Sequence, residues 1–118
     1  MRIDLTHRNR QPELMDDPAL DAERHRHALQ GLGRVNRFTR STSILWPAVQ
    51  EVSRRVDGRR VRILDIASGG GDVALRLAAK ALANHVDVEI TGCDISPFAV
   101  EHATQLAEPF SFDLQFVA

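Results

Sequence analysis

Val61-Arg62-Ile63-Leu64-Asp65-Ile66-Ala67-Ser68-Gly69-Gly70-Gly71 opens the half of the chain that decides the fold. Its first six residues are rich in β-formers. The run then turns through small residues and three glycines into a helical period at Val73, Leu75, Leu77, Ala78, Ala81 and Leu82, for which Asn84 is a stop. Val86-Asp87-Val88-Glu89-Ile90-Thr91-Gly92 alternates as a second strand. Ser96-Pro97 supplies an N-cap and an N1 proline for a helix reaching about Glu108, where Pro109 ends it. Phe112, Leu114 and Phe116 alternate with Asp113, Gln115 and Val117 as a third strand that the chain end cuts short. The order β-α-β-α-β implies a parallel sheet with right-handed crossovers.

Upstream, the character changes. Met1 to Pro18 is polar and aperiodic and reads as an extended arm. From Leu20, the residues Ala28, Leu29, Leu32, Val35 and Phe38 fall at helical spacing, interrupted at Gly31 and Gly33. Thr39 to Ser43 reads as a polar link. Ile44, Leu45, Ala48, Val49, Val52 and Val56 then repeat the helical pattern, with Pro47 in the first turn, until Asp57-Gly58 breaks it. This divides the chain into residues 1–58, an arm with cap-like helices, and residues 59–118, an α/β unit.

The composition bounds the function. The 118 residues are 43% hydrophobic and 26% charged, ordinary for one globular domain. Fifteen Lys+Arg against sixteen Asp+Glu leave a net charge of -1, too little basic field to hold a nucleic acid, so a small or neutral substrate is expected. The single Cys93 forms no internal disulfide, and no Cys/His spacing suits a zinc site, so no metal is expected. No apolar run spans a membrane or forms a secretory signal, which points to the cytoplasm.

A parallel strand that turns sharply into a helix leaves backbone N–H groups unpaired, and glycines let a ligand approach them closely. Ligands of open α/β sheets bind outside the carboxyl ends of the strands. Both candidate segments, Asp65 to Gly71 and Cys93-Asp94-Ile95, lie at such ends on neighbouring strands. Asp94 follows Gly71 by 23 positions (94 − 71), near the roughly 20-residue spacing at which an acidic side chain accepts ribose hydroxyls.

At these residues the chain resembles the class I S-adenosylmethionine (SAM) dependent methyltransferases. Ile63 to Gly71 is similar to the first motif of that family, an acidic residue followed by small residues at alternate positions, here Ala67, Gly69 and Gly71. Gly92-Cys93-Asp94-Ile95-Ser96-Pro97 is similar to the second. There the acidic residue binds the SAM ribose and the next side chain packs on adenine. The resemblance covers Val61 to Ala118 and implies half of a Rossmann-like sheet, truncated after the third strand. It also implies SAM as cofactor, with Asp65, Ala67, Ser68, Gly69, Gly71, Asp94 and Ile95 around it. Ala67 stands where the family usually has glycine.

A dinucleotide site is the rival. Its G-x-G-x-x-G frame puts Asp72 at the third glycine, where a carboxylate repels a pyrophosphate. The shifted frame Gly69, Gly71 and Ala74 leaves Asp65 without a role. SAM carries an ammonium group instead, which suits Asp65 and Asp72.

Other residues read plainly. Cys93 is a small core residue beside Gly92, and His25 and His27 lie on a solvated helix face. Leu32 to Trp46, with Arg34, Asn36 and Arg37, either caps the cofactor pocket or packs on the sheet with its arginines in solvent. The resemblance places most substrate-positioning groups after the third strand, so no catalytic residue is named, and a small-molecule methyl acceptor is expected for the completed enzyme. The chain is therefore expected to be either an incomplete methyltransferase, inactive alone, or a binding module that forms a homodimer through the open edge of Val61 to Ile66. Neither reading calls for nucleic acid or membrane.

Overall fold

The computed structural model describes residues 21–38 and 40–118, with the side chains of residues 36–38 excepted. The arm expected over Met1 to Pro18, and the side chain of Arg37, lie outside that description.

Two helices, α1 (Ala22–Phe38) and α2 (Ser41–Arg55), precede β1 (Val61–Ile66), α3 (Asp72–Ala83), β2 (Val88–Cys93), α4 (Pro97–Ala107) and β3 (Leu114–Val117). The strands form one parallel sheet in the order β1-β2-β3, with Ile63 opposite Ile90 and Ile90 opposite Leu114. Helices followed by a three-stranded parallel sheet make the partial Rossmann-like fold that the motif order implies.

Alternation decides which side of the sheet is covered. Val61, Ile63, Ile90, Leu114 and Phe116 face the helices, against a core of Trp46 and Val49 from α2 and Ala74, Leu77, Ala78 and Ala81 from α3. Alanines on α3 let that helix sit close to the strands. On the other face no described helix covers Leu64 and Ile66, which are 61% and 74% exposed. Parallel strands are usually covered on both faces; among the described residues the helices cover one face of this sheet. At the opposite end of the strands, Arg60 donates to Asp87 at 3.1 Å and also bonds Asp113, tying the starts of all three strands together. These are exposed pairs of modest energetic value.

Two expectations about the helical half change. Residues 41–43 of the stretch read as a polar link already belong to α2, which begins at Ser41 after Arg40 turns the chain in the left-handed region at φ 56°. Pro47 consequently sits inside the helix rather than in its first turn, and its missing N–H removes one helical hydrogen bond. Trp46 is a core residue, 7% exposed with the Lys80 ammonium 5.7 Å from its ring centroid, as the packed alternative for this residue has it. The break at Asp57-Gly58 is as expected, both residues turning at positive φ. So is the Ser96 N-cap, whose hydroxyl accepts from the Ala99 N–H at 3.3 Å. No described helix is long and apolar enough to cross a membrane.

Candidate functional site

The carboxyl ends of β1 and β2 open onto a cavity of about 520 Å³, within the size range of small-ligand sites. Its walls are Ile66, Ala67 and Gly69 from the end of β1, Cys93, Asp94 and Ile95 from the end of β2, and His25, Leu29 and Leu32 from α1. Ala67, Gly69, Asp94 and Ile95, four of the seven residues singled out in the sequence, therefore meet at one place.

Asp94 organises this place. One carboxylate oxygen accepts the Gly69 N–H at 2.8 Å and the other accepts the Ser96 N–H at 2.9 Å. A second bridge, from the Ser68 N–H to the Cys93 carbonyl at 2.9 Å, holds the two loops in register. Each carboxylate oxygen has a further lone pair, so Asp94 can accept hydroxyl donors from the cavity while keeping both backbone bonds. Ile95, 85% exposed, offers an apolar surface beside it.

The other three candidates stand behind the cavity. Gly71 is buried at φ 75°, where a β carbon would lie 2.6 Å from the Phe116 ring and 2.8 Å from Ala103. Gly92 is similar: its β carbon would lie 2.5 Å from the same ring and 2.9 Å from Ser68 Oγ. The two glycines together make the seat of Phe116, which supports the turn from below. Ser68 Oγ is buried in that layer, without a hydrogen-bond partner among the described residues. Asp65 shares the helix-facing side of β1 with Val61 and Ile63 and is half-buried.

Ala67 turns at φ 59°, a conformation that costs an L-residue about 1–2 kcal/mol. That gives a backbone reason, independent of any ligand, for glycine at this position in the resembling family.

Burial, and after it the charge of Asp72, pushes the Asp65 carboxyl up from its ordinary value. A folded-state value above the unfolded one means that the folded state is favoured below the ordinary carboxylate range and loses that advantage as pH rises through the raised value. Asp65→Asn is thus expected to raise the melting temperature near neutral pH, with the gap over the wild type closing as the pH is lowered. Melting curves across that range check it, and a gap independent of pH would contradict it. A cation placed near the two carboxylates would relieve the same repulsion.

Two site features were misread from the sequence. His25, expected on a solvated face, is 8% exposed, stacks on Phe98 and lines the cavity. The signal was present, since His25, Leu29 and Leu32 stand at i, i+4 and i+7 on one helix face. Cys93, expected in the core, points to the side of the sheet that no described helix covers, because Ile90 and Gly92 take the helix-facing parity. It is half-buried at the cavity wall. Among the described residues no three His, Cys, Asp or Glu side chains are grouped so as to hold a metal ion.

Residues 57–118 match a family described as a methyltransferase domain. The chain belongs to the class I SAM-dependent methyltransferases. Over 63 residues this methyltransferase chain is 38% identical to the ubiquinone/menaquinone biosynthesis C-methyltransferase UbiE of Rickettsia felis, a match covering 53% of this chain and 25% of that protein. It thus spans about a quarter of the length of the curated relative it matches. Among solved structures, the bifunctional kinase-methyltransferase WbdD superposes with a TM-score of 0.56 at 24% identity, over 66% of this methyltransferase chain and 16% of WbdD. Monomeric WbdD gives the same score and identity, over 17% of its own length. At that identity the likeness speaks for the fold alone.

Proposed function

We propose that this chain is the SAM-binding portion of a methyltransferase that acts on a small molecule. The observation that carries the reading is the meeting of the two motif loops at one cavity, joined by the bond from the Gly69 N–H to the Asp94 carboxylate. The residues present fit the cofactor in chemistry. Asp94 retains acceptor capacity for ribose hydroxyls, Ile95 and the α1 leucines give an apolar surface for a purine ring, and Asp65 and Asp72 supply negative charge for the ammonium. Bound SAM supplies an electrophilic methyl group, which a nucleophile attacks in line, so the protein's task is chiefly to hold the two reactants in position.

The matched relative acts in quinone biosynthesis, and carbon or oxygen methylation of a comparable small acceptor is the reading carried over to this chain by analogy. Because the chain spans a quarter of that relative's length, acceptor binding and methyl transfer are read as properties of a longer protein, with this part inactive alone. The cytoplasm is the compartment expected for it.

Calorimetric titration tests the cofactor. SAM is expected to give binding heat where NAD at equal concentration gives none, since a pyrophosphate would face Asp72 at the start of α3. Folded protein that gives no heat at millimolar SAM would remove the reading.

A second reading, self-association, has one observation in its favour. Among the described residues β1 pairs only with β2, which leaves its outer edge and the exposed Leu64 and Ile66 available to a second copy. Sedimentation of a dilution series distinguishes a discrete dimer from a monomer.

A further inference from the structure

Helix α1 touches the body of the fold on both sides of the cavity. Near its start the His25 ring stacks on Phe98, in the first turn of α4, with centroids 5.0 Å apart and planes 16° from parallel. Farther along, Gly33 brings the α1 backbone against α3. A β carbon there would lie 3.7 Å from Asp72 Cγ, and Arg76 donates to the Gly33 carbonyl at 3.4 Å. Between these points Leu29, 4% exposed, sits over the glycine turn, where a β carbon on Gly70 would be 3.5 Å from its own.

Phe98 belongs to the helix that starts directly after Asp94, Ile95 and the Ser96 cap. The stack therefore joins α1 to the same loop that carries the acidic residue of the cavity. His25 is thus buried where α1 meets α4, beside Leu29 and Ala99 and away from the cluster that covers the sheet.

We propose that His25 is a positioning residue of the cofactor cavity: its stack on Phe98 docks α1 as a wall of the cavity, and cofactor affinity depends on that docking. The proposal rests on the SAM reading above. His25 acts through α1, by holding Leu29 and Leu32 in place, and forms no bond to the cofactor. Coupling of this kind is reciprocal, so a bound cofactor in turn holds α1 more firmly.

The test is SAM titration of the chain carrying His25→Ala, His25→Phe or Phe98→Leu, with hydrogen exchange of the α1 amides followed in parallel. An aromatic pair of this geometry corresponds to a roughly two- to tenfold loss of affinity in His25→Ala, and Phe98→Leu should weaken binding in the same direction. His25→Phe should recover the affinity to within about twofold, because the stack is kept. Exchange in α1 should quicken in His25→Ala and slow on saturation of the wild type with SAM, while α3 and the sheet keep their protection. Wild-type affinity in both His25→Ala and Phe98→Leu overturns the proposal. So does a loss accompanied by faster exchange throughout α3 and the strands, which would make His25 a general stabiliser. Absence of SAM binding by the folded wild type is a different result: it removes the cofactor reading itself, and the proposal falls with it.

Discussion

Gly71→Ala is expected to cost roughly 2–5 kcal/mol of folding stability, the sum of forcing an L-residue into a left-handed conformation and of overpacking a filled space. Both contributions are visible at this residue: φ is 75°, and the new methyl would lie 2.6 Å from the Phe116 ring and 2.8 Å from Ala103. Neither neighbour is the free end of a flexible chain. Ala103 is 1% exposed on α4, and Phe116 is held in β3. Against a total stability of about 5–15 kcal/mol for a domain, a change of that size is a large share and raises the unfolded fraction roughly thirty- to several-thousandfold. Gly69→Ala is the internal control. Its φ is 53°, but nothing lies within 4 Å of its added methyl, so only the backbone cost of about 1–2 kcal/mol applies. Urea unfolding of the two variants separates the contributions, and trimming the ring with Phe116→Leu in the Gly71→Ala background should return part of the loss. Equal stability of Gly71→Ala and Gly69→Ala would show that Phe116 does not fill the space beneath the turn.

The largest effect on binding is expected at Asp94. Its carboxylate holds the Gly69 and Ser96 N–H groups and lines the cavity, so Asp94→Ala removes the acceptor proposed for the ribose and releases the loop that shapes the site. Hydrogen bonds to a charged group are worth about 1.5–3 kcal/mol each, so two lost ribose contacts correspond to about a hundredfold or greater loss of SAM affinity. Asp94→Asn keeps one acceptor oxygen and should fall between, at roughly tenfold. Circular dichroism guards against unfolding as the cause. Wild-type SAM affinity in a folded Asp94→Ala would place the cofactor elsewhere.

Both predictions concern residues that the sequence brings forward for one reason and the structure supports with another. Gly71 stands out as part of a glycine turn, a local signal. That its neighbour is Phe116 depends on β3 pairing beside β2, a contact across 45 residues (116 − 71) that no spacing rule encodes. The strands of the α/β half, the Ser96 cap and the meeting of Ala67 and Gly69 with Asp94 were legible because each follows from nearest-neighbour chemistry or from parallel topology. The start of α2 was not. Hydroxyl residues at positions 41–43 resemble a link, while the actual boundary is a left-handed Arg40, which sequence disfavours. His25 was missed because a titratable residue is expected in solvent, and its burial depends on Phe98, 73 positions away (98 − 25). Cys93 was misplaced for a simpler reason. Small size and a neighbouring glycine point to the core, whereas the parity of β2 that faces the helices belongs to Ile90 and Gly92.

The seat of Phe116 between Gly71 and Gly92 also sets an order of events during synthesis. The glycine turn leaves the ribosome well before the ring that supports it, separated by 45 residues (116 − 71), which at ordinary elongation rates is about 2–9 s. During that interval α1, α2 and α3 can form their helices, but the turn lacks its support and β2 lacks its outer neighbour. The packing beneath the turn is therefore in place only after β3 has emerged, later than the residues that form the turn itself.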